Sequence, residues 1–392
     1  MNDAYIADFA RSAFTRAHPR KPDVDAWSGQ RGDVLLGQVI DALLDRTRVP
    51  GTAIEDLSVG CALPVKDQWS FGGRYPQWLS EVGVQCPSRQ IDQQCGSGLA
   101  ALRCTVREIQ AGAIETGLAG GYENMSRVPM GPTLFQEGVL TVPESLQQRE
   151  GLDLTVAMNM GLTAERLARE SGLTREAMDA FAVRSHERAA RAEQDGWFDG
   201  ERLTLRNPAG ALVGQDANIR PDTSAERLAE LKPAFSEDGQ VTAGNSSPLT
   251  SGAGAALLMS EASLSRHGLS PLARIVAIAD CGVTPECMGA GAAVAAERAL
   301  KLAGMSAGDI DAWEINEAFS AVPLYAMRSL DIDSERVNIF GGALALGHPL
   351  GATGIRLAGT LARTLQHRGG RYGCAAACIG GGQGIAVILE RC

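Results

Sequence analysis

The chain has 392 residues, of which 45% are hydrophobic and 21% charged, and this composition excludes a largely disordered protein. Its 36 Lys and Arg residues are outnumbered by 46 Asp and Glu residues, and it lacks a basic run that could follow a phosphate backbone, so we expect no nucleic-acid partner. The length predicts several packed units rather than a single core.

The amino terminus and the cysteine pattern bear on where the protein works. Residues 1–14 include acidic residues and no apolar signal segment, and no apolar stretch of the sequence is long enough to span a bilayer. We therefore predict a cytoplasmic protein with no membrane span. The nine cysteines show no C-x-x-C spacing, so the sequence favours neither a disulfide framework nor a structural zinc site.

The first predicted unit covers residues 1–121 and alternates strands with helices. A helical pattern that includes Leu44 is followed by a strand from Ile54 to Val59, in which apolar and polar residues alternate. An extended segment then reaches Ile91, turns sharply and opens an Ala- and Leu-rich helix. This order predicts strand, helix, strand, helix, strand, as found where helices pack on a mostly parallel sheet.

The middle segment, residues 122–250, interrupts that alternation. It contains a polar loop at residues 126–150, a helical stretch from Thr163 to Gln194, and another loop through Pro233. Long insertions on a rigid scaffold are where substrate selectivity usually lies. We therefore predict an inserted loop domain that shapes the substrate site.

The last unit, residues 263–392, repeats the first at a constant offset of 256 residues. The matching pairs are Asp41/Glu297, Leu44/Leu300, Ile54/Ile310, Leu57/Trp313, Val59/Ile315, Ser97/Thr353, Gly98/Gly354, Leu99/Ile355, Arg107/Arg363, Gln110/Gln366 and Gly117/Gly373. Each half is predicted to be a βαβαβ unit, the first being completed by about residues 251–262. Two such α/β halves facing each other predict a five-layer αβαβα sandwich.

One cysteine stands at a sharp turn before a helix. Cys95 lies between the extended segment that ends near Ile91 and the helix that follows Gly98. Unpaired N–H groups and the positive end of the helix dipole favour a thiolate at such a position. A cysteine taken at random is more often a buried small hydrophobic residue. The second half of the chain decides between these two interpretations.

Three blocks of the second half carry further reactive residues. Residues 314–319 end a predicted strand with Asn316, and residues 341–354 place His348 at the helix start that lies, by the offset, opposite the one carrying Cys95. In residues 378–384 a glycine run follows Cys378, which predicts backbone N–H groups aimed at a developing oxyanion. A strand rather than a helix follows this run, which argues against a dinucleotide-binding motif.

These blocks carry a family resemblance. The Cys95 segment, Asn-Glu-Ala-Phe at 316–319, Gly-His-Pro-Leu-Gly-Ala-Thr-Gly at 347–354 and Cys-Ile-Gly-Gly-Gly-Gln-Gly at 378–384 resemble the four signature blocks of the thiolase family, in the same order. The resemblance implies an acyl-CoA:acetyl-CoA C-acyltransferase, which cleaves 3-oxoacyl-CoA with CoA or forms it by the reverse Claisen condensation.

The resemblance also implies roles for the candidate catalytic residues. Cys95 would carry the acyl group, and Cys378 would act as a second acid and base. His348 and a water held by Asn316 would stabilise the first thioester oxygen. The backbone N–H groups of Cys95 and Gly380 would form a second oxyanion hole for acyl transfer.

Ligands and partners follow from the same resemblance. Ser247 is expected to approach the CoA pantetheine, and Met160, Met288, Ala318 and Phe319 are expected to line the substrate pocket. Because 3-oxoacyl-CoA, CoA and acetyl-CoA are substrates and products, no metal and no resident cofactor is implied. We expect a homodimer or tetramer, and partnership with a hydratase/dehydrogenase chain stays open.

Two departures from the family pattern bear on the substrate. Short-chain biosynthetic thiolases typically carry a histidine where Asn159 stands, which favours a degradative enzyme of broader chain length. Gly291-Ala292 replaces the usual Gly-Pro and leaves the pocket shape there open. Trp69 and Trp78 lie in a segment rich in aromatic residues, and we predict that they are core residues rather than interface residues.

Other functions remain open from the sequence. One alternative is a biosynthetic acetoacetyl-CoA thiolase, and another is a ketoacyl-synthase-like enzyme acting on carrier-protein thioesters. Ketoacyl synthases usually pair their cysteine with two histidines, whereas this chain has Asn316 and Cys378. A different class of function is a non-catalytic scaffold subunit of a β-oxidation complex. The sequence argues against it, because it contains Cys95, His348 and Cys378.

Overall fold

The computed structural model describes residues 2–392, except for the side chains of Pro132 and Thr133. The strands are β1 (Tyr5–Ser12), β2 (Thr15–Arg16), β3 (Asp56–Gly60), β4 (Ser88–Ile91), β5 (Thr116–Asn124), β6 (Arg202–Leu203), β7 (Leu205–Arg206), β8 (Leu212–Val213), β9 (Thr250–Met259), β10 (Ala273–Gly282), β11 (Ala312–Ile315), β12 (Tyr372–Ile379) and β13 (Gln383–Arg391). The α-helices are α1 (Gly32–Thr47), α2 (Arg74–Trp78), α3 (Ser97–Ala111), α4 (Pro132–Gln136), α5 (Glu144–Gln147), α6 (Leu154–Ala157), α7 (Met160–Ser171), α8 (Arg175–Gln194), α9 (Ala225–Ala229), α10 (Glu261–His267), α11 (Gly291–Ala303), α12 (Ala321–Leu330), α13 (Ala343–Leu346) and α14 (Leu350–Arg368). Among these helices the structure finds none that could cross a membrane.

Within the described residues, eleven strands form one mixed sheet made of two similar halves. Its main order is β11-β12-β13-β10-β1-β9-β5-β3-β4. The halves meet where β1 pairs with β10 over two residues, Tyr5 with Arg274 and Ile6 with Ala273. The predicted order of strand, helix, strand, helix, strand is confirmed in each half, as β1-α1-β3-α3-β5 and as β10-α11-β11-α14-β12.

The strand register confirms the predicted duplication. Leu57 on β3 pairs in parallel with Leu118 on β5, and Trp313 on β11 pairs in parallel with Cys374 on β12. The second pair follows the first by the same 256 residues that separate the motifs. On its other side, each of these strands pairs with an antiparallel neighbour: β5 pairs with β9, and β12 pairs with β13.

The layers follow from the alternation of side chains along the strands, since successive residues face opposite sides of a sheet. Ala119 on β5 and Val387 on β13 belong to a central apolar cluster that also contains residues of α3 and α14. Leu118 belongs to a cluster with α1, and Ile388 to a cluster with α11 and α12. The α3/α14 pair therefore lies between the two half-sheets, and the other helices cover their outer faces, as the predicted α/β sandwich requires.

Close glycine contact brings the two central helices together at their first turns. A Cβ built on Gly98 would lie 2.6 Å from the carbonyl oxygen of Gly351, and one built on Gly354 would lie 2.2 Å from the backbone nitrogen of Leu99. Both distances are shorter than a real Cβ contact, so only glycine fits at either position. Gly98 and Gly354 are a pair of the sequence repeat, and the residues before both helices are thereby held side by side.

The helical stretch predicted from Thr163 to Gln194 in the middle segment is divided into two helices, α7 and α8. Gly172 ends α7 in the left-handed region with φ of 63°, and Thr174 then caps α8 through a hydrogen bond from the backbone of Ala177 to its side chain. The break redirects the chain so that α7 and α8 both pack against the second half.

The prediction that Trp69 and Trp78 are core residues was wrong. Their side chains are 51% and 53% exposed, and they form an exposed aromatic surface together with Phe71 and Tyr75. This surface lies close to β4, the last strand at one end of the sheet. Large aromatic groups exposed beside a sheet edge are typical of an interaction surface rather than of a core.

Candidate active site

The turn that carries Cys95 joins β4 to α3. Gln94 has a positive φ of 46°, and residues 94–96 form a 3₁₀ turn before α3 begins at Ser97. The Ser97 hydroxyl accepts a hydrogen bond from the backbone N–H of Gln93 and donates one to the carbonyl of Gln94. A Cβ on Gly96 would lie 2.3 Å from Cδ1 of Ile379, so the glycine lets this turn approach the end of β12. Cys95 is thus held rigidly, against the strand that carries Cys378.

Burial, rather than the helix dipole, has the larger effect on the pKa of the Cys95 thiol. Burial raises the pKa of Cys95 to about 11, and the backbone N–H of Gly380, which hydrogen-bonds to the sulfur, lowers it only in part. The backbone N–H of Cys95 at the helix start also favours the thiolate, but burial outweighs both N–H groups. Cys95 is a neutral thiol near pH 7, and it needs a base before it can act as a nucleophile.

Cys378 and its glycines form the turn between β12 and β13. Gly381 and Gly382 have φ of 83° and 80°, which close a tight hairpin and aim the backbone of Gly380 toward Cys95. Cys378 is fully buried. Burial raises the pKa of its thiol above the ordinary range, and a negative charge on Cys95 would raise it further. The two sulfur atoms are therefore electrostatic neighbours, and they cannot both ionise easily.

His348 sits in a loop that two threonines hold. The backbone N–H of His348 donates to the Thr250 hydroxyl at 3.0 Å. Nδ1 of the ring lies 2.7 Å from the Thr353 hydroxyl, which itself donates to the carbonyl of Pro349 at 3.0 Å. Since the Thr353 proton is used in that bond, Nδ1–H donates to the hydroxyl and Nε2 is left as an acceptor.

Asn316 meets this free ring nitrogen. Its Nδ2 lies 3.2 Å from Nε2 of His348, and its backbone N–H donates to the carbonyl of Ala376 on β12 at 2.9 Å. Its Oδ1 is buried and has no hydrogen-bond partner among the described residues. A buried acceptor without a partner is costly, so this oxygen is suited to hold a water molecule or a substrate group.

Burial keeps the imidazole neutral. Burial, aided by the positive charge of Arg356, lowers the pKa of His348 to about 3. Arg356 lies on α14, fully buried, and forms an ion pair with Glu314. A neutral ring with an unprotonated Nε2 can accept a proton during a reaction and return it afterwards.

The structure brings the five predicted catalytic residues into one place. Asn316 contacts His348 and is hydrogen-bonded to the strand that ends in Cys378. Gly380 donates to the sulfur of Cys95, and Cys95 packs in one apolar cluster with Leu350 of the histidine loop. The residues come from both halves of the sheet and meet at the first turns of α3 and α14.

The residues predicted to bind substrate surround the same place. Met160, Met288, Ala318 and Phe319 lie with Cys378 in one apolar cluster of the second half. The sulfur of Met160 lies 3.2 Å from a Cβ built on Gly380. We call the part of this cluster formed by Met160, Met288, Ala318 and Phe319 the apolar wall. The backbone N–H of Ser247 donates to the carbonyl of Ala318 at 2.9 Å, so the loop with Ser247 borders the apolar wall.

Asn159 has a structural task at the position where the sequence departs from short-chain thiolases. Its Oδ1 accepts hydrogen bonds from the backbone N–H groups of Gly161 and Leu162, and so it caps α7. Asparagine is among the best residues for such a cap. The residue therefore fixes the start of the helix that carries Met160.

Sequence reasoning missed several residues around the site. Thr250 and Thr353 orient the histidine loop, and only Thr353 carried a signal, since it lies in the glycine-rich block. Phe235 comes from a polar loop and gave no signal, yet its ring packs edge-to-face on Phe319 at 6.0 Å and covers Gly161. It is 38% exposed and forms part of the rim of the apolar wall.

Two arginines that sequence reasoning also missed lie beside the histidine loop. Arg16 pairs with Thr250 in the β2–β9 register, and the Thr250 hydroxyl accepts the backbone N–H of His348. Loss of hydration lowers the pKa of Arg220, and the nearby charge of Arg16 lowers it further. Two like charges held close together favour an anionic partner.

Comparisons with known proteins agree with this geometry. The family profile described as "Thiolase, N-terminal domain" matches residues 5–262, and the profile "Thiolase, C-terminal domain" matches residues 269–391. A 3-ketoacyl-CoA thiolase of Shigella sonnei is 41% identical over 403 residues, which cover 100% of both chains. A 3-ketoacyl-CoA thiolase of Bacillus subtilis is 40% identical over 351 residues, which cover 86% of this chain and 88% of that protein.

Solved structures show the same similarity. The crystal structure of human mitochondrial 3-ketoacyl-CoA thiolase in complex with CoA superposes with a TM-score of 0.88 at 33% sequence identity. The superposition covers 100% of this chain and 98% of the human chain. The likeness therefore extends over both halves and the middle segment.

Proposed function

The chain belongs to the thiolase family of acyltransferases, and from this premise we propose that it cleaves 3-oxoacyl-CoA with CoA, by way of an acyl group on Cys95. The products are acetyl-CoA and an acyl-CoA shortened by two carbons, and the reaction is reversible. The observation that carries this proposal is the meeting of two buried thiols with the His348–Asn316 pair in one place. Such a set serves a reaction in which a sulfur nucleophile and a carbanion appear together.

In the first half-reaction, Cys95 attacks the 3-oxo carbon of the substrate. Its proton passes to Nε2 of His348, the ring nitrogen left as an acceptor by Thr353. The carbon-carbon bond then breaks and releases the enolate of acetyl-CoA. The imidazolium and a water held by Asn316 donate to the enolate oxygen as its charge develops.

Cys378 completes this step and begins the next. Its high pKa keeps the thiol protonated, so it can give its proton to the enolate carbon and form acetyl-CoA. The resulting thiolate then takes the proton of the CoA thiol. The CoA thiolate attacks the acyl group on Cys95, and the N–H groups of Cys95 and Gly380 hold the tetrahedral oxyanion. Cys95 leaves with its electron pair and regains its proton from His348.

We also propose that Arg16 and Arg220 receive a phosphate group of CoA, while Ser247 borders its pantetheine. The two guanidinium groups repel one another, and an anion between them relieves that repulsion. Arg16 lies near the loop that orients His348, through its pairing with Thr250, and Ser247 borders the apolar cluster that includes Phe319. CoA carries its phosphates at one end and its reactive sulfur at the other, and this arrangement suits such a molecule.

For the acyl group, we propose degradative thiolysis of 3-oxoacyl chains longer than four carbons, as in fatty acid β-oxidation. The support is Asn159 in place of a histidine, and Ala292 in place of the usual proline, a small residue in the apolar cluster that contains Met288 and Phe319. The test is a thiolysis assay with acetoacetyl-CoA and longer 3-oxoacyl-CoA substrates, followed through loss of the enolate absorbance. A higher kcat/KM for the longer chains is expected. A preference for the four-carbon substrate would instead indicate the biosynthetic alternative.

We propose a homo-oligomer that associates through the aromatic surface of Trp69, Phe71, Tyr75 and Trp78. The support is the exposure of Trp69, Phe71 and Trp78 beside the edge strand β4, with the half-buried ring of Tyr75 packed among them. Sedimentation of the wild type and of a Trp78→Glu variant tests it, since a charge in that surface should favour smaller species. If the purified chain sediments alone, its mass distinguishes a dimer from a tetramer. If it sediments together with a second polypeptide, it has a partner such as a hydratase/dehydrogenase chain.

We propose that the protein works in the cytoplasm, with support from its bacterial relatives. We further propose three parts: a first half at residues 1–121 completed by about 251–262, an inserted substrate domain at 122–250, and a second half at 263–392. No resident cofactor is needed for the proposed steps, because CoA itself is a substrate.

A further inference from the structure

A fully buried carboxylate lies between the two loops of the active site. Glu123, near the end of β5, is 0% exposed and its two oxygens accept hydrogen bonds from four N–H groups. The donors are the backbone of Ala62 at 3.0 Å, Leu63 at 3.3 Å and Gly351 at 3.0 Å, and the Gln68 side chain at 2.6 Å. An acceptor with four donors around it holds all of them in fixed positions.

On one side, Glu123 fixes the backbone of Ala62 and Leu63, which supports the turn at residues 94–96 that carries Cys95, the nucleophile turn. Ala62 donates to Oε2 of Glu123, and the carbonyl of Ala62 accepts the side chain of Gln94 at 3.0 Å. Gln94 immediately precedes Cys95 and adopts a positive φ. The position of Cys95 therefore depends on a short chain of bonds that ends at Glu123.

On the other side, Glu123 holds the histidine loop. Gly351 belongs to the first turn of α14, three residues after His348, and its backbone N–H donates to the same Oε2. No side chain of the loop itself caps this helix, whose preceding residue is Pro349. First-turn N–H groups lack partners within a helix, and a carboxylate at that end is favoured by the helix dipole. Glu123 supplies this cap from the opposite half of the molecule.

A buried carboxylate destabilises the folded state unless hydrogen bonds compensate for its lost hydration. Burial raises the pKa of Glu123 to about 7, although the hydrogen bonds from Ala62, Gly351, Gln68 and Leu63 oppose this rise. Its charge also raises the pKa of Cys95. An apolar side chain would avoid this cost, but it would leave the three backbone N–H groups without partners.

We propose that Glu123 is a positioning residue, which fixes the nucleophile turn against the histidine loop and so aligns Cys95 with His348 for carbon-carbon bond cleavage. The inference rests on the proposed function, because it takes Cys95 and His348 as reacting groups. Glu123 itself touches no reacting atom. Its effect is therefore on the alignment within the bound complex rather than on substrate binding.

The test compares Glu123→Gln with a matched variant, Glu201→Gln. Glu201 is also fully buried and joins different elements, accepting from Arg11 on β1 and Thr360 on α14. For Glu123→Gln, kcat of thiolysis should fall about tenfold to a hundredfold, as expected for a misaligned nucleophile. KM for both substrates should stay within about threefold, since uniform binding is not affected. Glu201→Gln should lower the unfolding temperature but leave kcat within about threefold of the wild type.

A reciprocal exchange adds a rescue. In Glu123→Gln/Gln68→Glu, the new amide can donate to the new carboxylate while its oxygen accepts from Ala62 and Gly351, so kcat should recover part of its loss. If Glu123→Gln is insoluble, Gln68→Met removes one donor and leaves the carboxylate, and kcat should fall about threefold or more. The rate of Cys95 alkylation by iodoacetamide, followed by mass spectrometry, should change in parallel with kcat in either variant.

Several results would overturn the proposal. These are an unchanged kcat in Glu123→Gln or Gln68→Met, an equal loss of kcat in Glu201→Gln, or a loss expressed only in KM. Failure of the proposed function has a different outcome, since the wild type itself would then show no thiolysis and no acyl group on Cys95. The two failures are therefore distinguished by the wild-type assay alone.

Discussion

The nucleophile turn and the histidine loop are the two copies of one structural element. Each leads into a central helix, α3 or α14, and each places a glycine, Gly98 or Gly354, against the other copy. Their chemistry differs, because the first copy carries a protonated thiol, the nucleophile Cys95, and the second a neutral base, the imidazole of His348. The duplication has kept the backbone contact and changed the reactive groups.

The same division holds for the strand ends. Asn316, just after β11, stands where the first half has Gly60, and Cys378 on β12 stands where the first half has Tyr122. The second half thus contributes most of the polar groups that handle protons, whereas the first contributes the nucleophile and the buried carboxylate of Glu123. We expect substitutions in the reactive groups to affect chemistry, and substitutions in the shared glycines to affect stability.

The largest effect should come from the nucleophile. Cys95→Ser should lower thiolysis by about 10⁴-fold or more and abolish acyl labelling of the enzyme, because a serine hydroxyl is a much weaker nucleophile near neutral pH. Intact-mass spectrometry after incubation with 3-oxoacyl-CoA checks the label. Cys374→Ala is the control, since Cys374 is a fully buried cysteine of β12 without a proposed role. Normal turnover in Cys95→Ser would falsify the assignment.

The second thiol should separate the two half-reactions. Cys378→Ala should lower thiolysis by about 10²- to 10⁴-fold, the range for loss of a general acid and base. Transfer of an acyl group from acyl-CoA to Cys95 should remain detectable, because that sulfur and its oxyanion donors are unchanged. If labelling of Cys95 disappeared together with turnover, Cys378 would be needed for the nucleophile itself, and the division of roles between the halves would be lost.

The shared glycines should affect stability more than chemistry. In Gly354→Ala, the added Cβ would meet backbone atoms of Gly98 and Leu99 at 2.8 and 2.2 Å. Overpacking of this kind costs about 1–3 kcal/mol. Gly282→Ala is the control, since no atom lies within 4 Å of its added Cβ, and it should stay within about 0.5 kcal/mol of the wild type. Denaturant midpoints measure both, and equal values for the two variants would show that the helix contact is not tight.

Much of the fold and of the candidate site could be predicted from the sequence because the chain is duplicated. The offset of 256 residues, together with the four blocks, predicted the order of strands and helices along each half and the meeting of Cys95, His348 and Cys378 from opposite halves. Local patterns are sufficient for such features, since turns, glycines and helix starts are encoded by neighbouring residues.

Features that depend on long-range packing could not be predicted in the same way. The thiol of Cys95 lies at a helix start, but burial by distant segments outweighs the helix end and keeps it protonated. The exposure of Trp69 and Trp78 depends on what packs over them, which aromatic composition does not reveal. The roles of Thr250 and Glu123 arise from bonds across more than 90 residues.

The smallest expected effect comes from a substitution that tests how the histidine loop selects the tautomer of His348. The Thr353 hydroxyl accepts from Nδ1 of His348, so Thr353→Val removes the partner that selects this tautomer. We expect kcat to fall about tenfold, equivalent to about 1.4 kcal/mol, because the ring can then carry its proton on Nε2. Thr364→Val on the same helix is the matched control. The Thr364 hydroxyl is buried without a partner among the described residues, so its removal should leave both activity and stability near those of the wild type. Equal kcat values for the two valine variants would mean that the ring selects its tautomer without Thr353, and that the histidine loop contributes only its position.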